Sequence, residues 1–420
     1  MTDVVVVGGG LAGLVAARHL AAEGLAVTLF ERTTRVGGRV RSDRQDGFTV
    51  DRGFQVLFTA YPAVAAELAL DDLSLRPFRP GAVLARPGER TTLADPFADR
   101  SAAVETLFNR DVTLGDKLRV LRLRRELLNT PVAEIFDGDD ESIARFLADR
   151  GFSERFRERF VAPFYGGITL DRSLSSSQAV FEYTFKMLAE GTAAVPARGM
   201  SAIPDQLATR AHQAGARVET DTPVESLCSD GGGVTVATET ERVDADAAVV
   251  ATDPKSAREL TGCAAIPTTG RGCVTQYFSL PERQQLDTGG RLVLNVVDGQ
   301  PNQVAVLSTV APEYAPDGSH LLSATFLGEQ SKDDAELASE VRERLSSWYP
   351  ENSFRELELL RTDRIAFAQL AQPPGFRSEL PDVDAPDGPV YLAGDYTEWS
   401  SIQGALESGR QAARTVAQQL

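Results

Sequence analysis

Residues 3–7 are an acid followed by four valines, a β-branched run short enough for a strand buried on both faces of a parallel sheet. A glycine-rich turn follows. Gly13, Ala17, Leu20, Ala21 and Gly24 then recur at helical spacing as a stripe of small and apolar residues, which predicts a helix lying close to the sheet. Val27–Phe30 reads as a second strand, closed by Glu31. Near the C-terminus, Val390–Ala393 predicts another strand, and Ile402 opens a helix running through Ser408-Gly409. Between these ends, 76–194 is mainly helical in pattern, whereas 263–359 carries apolar or alternating runs at Val274–Leu280, Leu292–Val297, Val304–Ser308 and Leu321–Phe326. Those runs, with Gly/Pro/Asn/Asp turns between them, predict an antiparallel sheet. Residues 228–250 alternate as a hairpin around Gly231-Gly232-Gly233 and end in Ala247–Ala251; with no helix after it, that triplet is a turn.

The first turn carries candidate chemistry. Gly8, Gly10 and Gly13 form GxGxxG, in which the first glycine permits the tight turn, the second lets backbone approach a pyrophosphate, and the third lets helix pack on strand. Leu11 and Ala12 begin the helix, whose unpaired N–H groups and positive dipole end favour phosphate. Glu31, eighteen residues beyond Gly13, can accept from a ribose hydroxyl. A strand before, a helix and strand after, and the acid at this distance predict a dinucleotide site. Only one such motif occurs.

Composition narrows the class. A chain of 420 residues that is 42% hydrophobic can bury a large core and predicts two to three domains. It has no apolar run of membrane-spanning length, and the early valine run is the first strand and not a signal peptide. Cys228, Cys263 and Cys273 lack metal or redox spacing and His19, His212 and His320 form no cluster, so the expectation is a cytoplasmic protein without a metal site. A formal net charge of −17 argues against nucleic acid as partner. Against that acidity, Asp116–Glu126 holds five cations and two anions, and Leu114, Leu118, Leu121 and Arg125 share one helical stripe. That is the pattern of an interfacial helix and of peripheral membrane contact; a solvated helix with inward-facing leucines has it too.

Arg35-Val36-Gly37-Gly38-Arg39, following Glu31, completes E-x-x-x-R-x-G-G-R, and the chain here resembles the flavin-containing amine oxidase and phytoene desaturase superfamily. The resemblance implies an α/β fold with a Rossmann-like, glutathione-reductase-type FAD domain assembled from 1–75, 195–262 and 360–420. A substrate domain of antiparallel sheet plus helices would come from 76–194 and 263–359. It implies non-covalent FAD, with Gly38 and Arg39 at the pyrophosphate, Gly394 and Asp395 on the flavin side, and N–H groups of Ile402 and Gln403 facing the pyrimidine carbonyl. Val224 backbone would lie against the adenine, in a segment following the Gly199-Met200 lead-in to a helix. Thr33 stands where the family often has arginine, which leaves Arg32 as the nearest substitute. Asp51-Arg52-Gly53-Phe54-Gln55-Val56 matches the family's segment beside the isoalloxazine. Arg52, Gln55 and Ser401 are the flavin-face candidates; no general base is assigned.

The family's amine oxidases carry an active-site lysine and an aromatic cage, and alignment of the motifs puts Thr275, Ala368 and Ser401 at those positions. Phe367 falls where some members hold flavin through cysteine. Phe152–Gly167 looks instead like a stretch typical of carotenoid and other isoprenoid desaturases. Phe160, Phe164, Phe181, Tyr183, Phe185, Met187 and Leu188 are candidates to line an apolar channel. The expectation is an FAD-dependent oxidoreductase that dehydrogenates or isomerises a small hydrophobic, isoprenoid-like substrate by hydride transfer to flavin, with oxygen or a quinone as electron acceptor. The alternatives are a flavin amine oxidase and a non-redox flavoenzyme or prenyl-binding protein on the same fold.

Overall fold

The computed structural model describes residues 3–94, 109–229, 232–284, 286–297 and 299–420. Five short strands form an all-parallel sheet in the order Arg217–Glu219, Val27–Phe30, Val4–Val7, Ala247–Val250, Val390–Leu392. Because they run the same way, the residues that follow them, Gly8, Glu31, Ala251 and Ala393-Gly394, arrive at one edge of the sheet. Ligands of open α/β sheets bind at that carboxyl edge.

The Leu11–Ala22 helix packs between this sheet and the Ile402–Gln419 and Ala202–Ala214 helices. Its small residues allow the close approach. A Cβ on Gly409 would stand 2.3 Å from the Ala12 carbonyl oxygen, and one on Gly13 would stand 2.0 Å from the Gly8 oxygen. Gly409 thus lets the C-terminal helix meet the first helix, and Gly13 lets the first helix sit against the turn that precedes it. Beside the sheet, Val224–Ser229, Val234–Thr238 and Arg242–Ala245 form a separate antiparallel sheet; Gly231 of the expected turn lies outside the described residues.

A second, seven-stranded sheet has the order Glu358–Leu370, Gly270–Pro281, Ser319–Leu327, Gln303–Val306, Leu292–Asn295, Ala82–Arg86, Glu89–Leu93. Successive residues alternate between its faces. Val83, Val293 and Phe278 pack beneath the Asp334–Trp348 helix, through Leu337, Val341, Leu345 and Trp348. Ala82, Leu84 and Leu294 face the helices between Leu114 and Glu190.

Three features differ from the sequence expectation. The sheet is mixed, since Leu292–Asn295 runs parallel to Ala82–Arg86; strands so far apart in the chain are not joined by a hairpin and need not alternate in direction. The mainly helical segment 76–194 supplies the two strands Ala82–Arg86 and Glu89–Leu93. Residues 360–370, expected with the cofactor domain, continue the edge strand that begins at Glu358.

Asp51 joins the two parts of the fold. Its carboxylate accepts from Ser42 Oγ at 2.5 Å, from Met200 N at 3.0 Å and, across to the sheet domain, from Tyr314 Oη at 3.1 Å. Burial pushes this carboxyl up to about 6, and the three donors oppose the rise only in part. Because the folded value lies above the unfolded one, the native state holds the extra proton between about pH 4 and 6, and the stability this contributes is lost as pH rises through that window. A shift of about two units corresponds to roughly 3 kcal/mol. Urea unfolding of the protein and of Asp51→Asn should show wild type losing about that much relative to the variant between pH 4 and 7; a pH-independent difference would refute the assignment.

Candidate functional site

The carboxyl edge of the parallel sheet opens into one cavity of about 2170 Å³. At its near end the Leu11–Ala22 helix begins without a side-chain cap and with no acid in its first turn, so the leading N–H groups, among them those of Leu11 and Ala12, lack helical or side-chain acceptors. A Cβ built on Gly10 would meet nothing within 4 Å, so this glycine faces open cavity. Glu31 is buried and held: Oε2 accepts from Gly9 N at 2.8 Å, and Oε1 accepts from Thr33 N at 2.9 Å and Thr33 Oγ1 at 2.8 Å. Thr33 thus aims the acid. Arg32 lies at the cavity rim, its guanidinium two-thirds exposed and 3.5 Å from Asp253.

Arg39 bridges to the other end of the chain. Its Nη2 lies 2.5 Å from Asp395 Oδ1 and its Nη1 donates to the Ala368 carbonyl at 3.2 Å, while Ser400 Oγ donates to Asp395 Oδ2 at 2.7 Å. Burial by itself would lower the pKa of Arg39, but the adjacent Asp395 outweighs it and holds the guanidinium above its ordinary value. Arg39 sits deep in the fold, yet 40% of its side chain remains accessible, on the cavity it lines. An anion there meets a fixed, planar cation.

Gly38, Gly394, Ser401, Ile402, Val56 and Val224 also line the cavity. Ser401 caps the last helix by accepting from Gly404 N at 2.8 Å. Gln403 is placed differently from Ile402. Its Oε1 accepts from Ala63 N at 2.8 Å, and the residue is buried and does not line the cavity. Gln55 lines the cavity but spends its amide N–H groups on the carbonyls of Arg39 and Arg52, both at 2.9 Å, so only its Oε1 is left to accept. Arg52 lines the same wall and is exposed.

The far end is apolar. Phe152, Phe156, Phe160 and Phe164 stack in a row with centroids 5.3, 5.5 and 5.4 Å apart and planes within 28° of each other. In an α-helix each step of four residues rotates about 40° off the stripe. The π-helical turn Arg157–Val161 in the middle of the row has more residues per turn, which keeps rings four apart in line. All four rings line the cavity, as do Phe181, Phe185 and Leu188. Tyr183 and Met187 do not: Tyr183 packs into the core against Trp399 at 4.9 Å, and Met187 is fully buried.

Ala368, Ser401 and Phe367 line the cavity; Thr275 is fully buried and does not, although Cys273 on the same strand does. Sequence reasoning missed Tyr61 and Trp399, which line the cavity 6.1 Å apart. Trp399 carried a signal, standing two residues before Ser401 in the C-terminal motif; Tyr61 did not.

The sequence profile of the family described as "Flavin containing amine oxidoreductase" matches residues 11–417. Phytoene dehydrogenase of Streptomyces griseus is 32% identical over 292 residues, 62% of this chain and 56% of that protein. Protoporphyrinogen oxidase 2 of Arabidopsis thaliana is 31% identical over 165 residues, 39% of this chain and 32% of that protein. The matches to these two relatives thus span from about a third to just over half of their lengths. A crystal structure of a putative protoporphyrinogen oxidase from Exiguobacterium superposes over 100% of this chain and 99% of that one with a TM-score of 0.74 at 17% identity. Wild-type putrescine oxidase bound to putrescine superposes over 99% and 98% with a TM-score of 0.69 at 20% identity. Identities this low speak to the fold alone, but the profile covers nearly the whole chain, and the protein belongs to the flavin containing amine oxidoreductase family.

Proposed function

We propose that this protein holds one FAD without a covalent link and dehydrogenates a long apolar substrate of isoprenoid, carotenoid-like type, passing the electrons to oxygen or a quinone. The observation that carries the reading is the continuity of one cavity from the dinucleotide turn to the row of four phenylalanines. The residues present fit the cofactor. Gly10 leaves room that a side chain would fill, the uncapped helix start and Arg39 suit a pyrophosphate, and Glu31 and Asp395 suit hydroxyl groups at either end. When bound, FAD supplies the hydride acceptor.

The chain's own residues bind, orient and exclude water. The stacked rings offer a flat apolar wall to a planar chain, and Phe181, Phe185 and Leu188 close the same space, so an extended hydrocarbon would lose its water on entering. Ala368 and Ser401 stand at the two positions where the family's amine oxidases carry aromatic residues, and Thr275 stands at the position of their lysine. The relatedness to Streptomyces griseus phytoene dehydrogenase supports the same substrate class. A single dinucleotide motif supports an acceptor other than a nicotinamide.

Two outcomes test this reading. Gly10→Val should weaken FAD binding, because its side chain enters the open space beside the helix start; Glu31→Ala and Asp395→Ala should weaken it as well. Each loss is worth roughly 1–3 kcal/mol, or about five- to 150-fold in Kd by cofactor titration. Unchanged affinity in all three variants would dismantle the two-ended cradle. Anaerobic mixing with long isoprenoid polyenes that retain saturated CH2–CH2 steps should bleach the flavin, while mono- and polyamines should neither bleach it nor release peroxide in air. Brisk amine-dependent peroxide with no response to polyenes would instead make this an amine oxidase.

A further inference from the structure

Three of the five exposed large hydrophobic residues among the described residues lie on one helix, Leu114–Asn129: Leu114 at 69%, Leu118 at 60% and Leu121 at 40% exposure. At 100° per residue they fall within an arc of about 60°, and the buried Asp116, Leu123 and Leu127 fall roughly opposite. The leucines therefore do not serve the core. The helix is firmly set on its inner side: Thr113 and Asp116 form a reciprocal capping box, Ser153 N and Oγ donate to Asp116 at 2.8 and 2.6 Å, and Lys186 Nζ donates to the Leu127 carbonyl at 2.9 Å.

Charge follows the same division. The two anions of the segment are engaged by the protein itself, Asp116 by its cap and Glu126 by Arg150 at 2.8 and 2.9 Å. Arg122 and Arg125 are exposed on and beside the leucine stripe, a local excess of cations on a chain whose formal net charge is −17. Leu114, Leu118 and Leu121 also line the cavity that ends on the phenylalanine row. An apolar stripe, outward cations and a cavity mouth thus coincide.

We propose that this helix seats the protein on an anionic bilayer, with the cavity mouth turned to the lipid. This rests on the apolar-substrate reading above, for which a bilayer is the natural reservoir, and it names the source of the substrate. Charge complementarity selects the occupant. Acidic surface elsewhere keeps the rest of the molecule away from anionic headgroups, while leucines and arginines on this one face suit both layers of the interface. No helix among the described residues is long and apolar enough to cross a membrane, so the contact is peripheral.

The test is co-sedimentation of the flavin-loaded protein with vesicles of phosphatidylglycerol and phosphatidylcholine, against vesicles of phosphatidylcholine alone, at low and high salt. Wild type should bind the anionic vesicles at low salt and detach as salt rises. Arg122→Glu with Arg125→Glu should weaken binding by at least about thirtyfold, each cation being worth about fivefold. Leu118→Glu with Leu121→Glu should abolish it, and both variants should keep the flavin spectrum and unfolding midpoint of wild type. Wild type remaining in the supernatant at low salt, equal binding to zwitterionic vesicles, or undiminished binding by the variants would overturn the proposal. So would a wild-type dimer that Leu118→Glu splits into monomers, since the stripe would then cover a second copy. Sedimentation is read without turnover, so failure of the polyene reaction would leave it standing, and the reverse holds as well.

Discussion

The ion pair between Arg39 and Asp395 joins residues 356 positions apart, and the site depends on that closure. Arg39 comes from the glycine-rich segment after the second strand, and Asp395 from the turn after the last one. Neither half of the cradle is complete alone. Asp395 is buried at 3% exposure, and a buried carboxylate needs its partner, since removing one member of such a pair leaves an uncompensated charge. The arginine in turn is fixed at one nitrogen by Asp395 and at another by the Ala368 carbonyl, on the edge strand of the second sheet. One guanidinium therefore ties the parallel sheet, the C-terminal turn and the mixed sheet to a single point on the cavity wall.

That point divides the cavity by chemistry. On one side lie backbone N–H groups, the oriented Glu31 and the cation, which suit phosphates and hydroxyls. On the other lie phenyl rings. The π-helical turn at Arg157–Val161 is what turns four phenylalanines into a continuous wall, and such turns are frequent at functional sites. Asp51, holding Met200 on one side and Tyr314 on the other, fastens the segment after the first glycine-rich turn to the part of the chain that carries the second sheet. The chemistry and the packing are thus carried by different residues, and variants can separate them.

Much of the cradle was legible because it is local. GxGxxG, Glu31 and the G-G-R segment occupy one unit of strand, turn, helix and strand, where spacing in sequence sets spacing in space, and the structure brings Gly10, Glu31, Arg39 and Asp395 to one cavity. The phenylalanine spacing of four was also visible. What the sequence hid was direction and partnership. Gln403 sits in the right helix turn, yet its side chain is drawn to Ala63 by a contact 340 residues distant. Gln55 is consumed by two carbonyls, and Thr33 replaces a charged residue by gripping Glu31, neither of which a motif can state. Tyr183 and Met187 share a helix with Phe181 and Phe185 but lie on its other face. The strands Ala82–Arg86 and Glu89–Leu93 escaped notice because short runs between helical stretches acquire their identity only from a partner at Leu292–Asn295.

The central claim is that cradle and ring wall are one site, and single-turnover flavin reduction in variants of the wall tests it most directly. Phe160, partly exposed in the middle of the row, can be changed to Asp, and Phe164 to Ala, without touching the cradle. With an isoprenoid polyene as reductant, the account predicts that both changes slow flavin reduction, Phe160→Asp by at least about tenfold since a carboxylate in an apolar wall costs well over 1.4 kcal/mol, while the Kd for FAD stays that of wild type. Reduction at the wild-type rate in both variants, with the cofactor still bound, would contradict it.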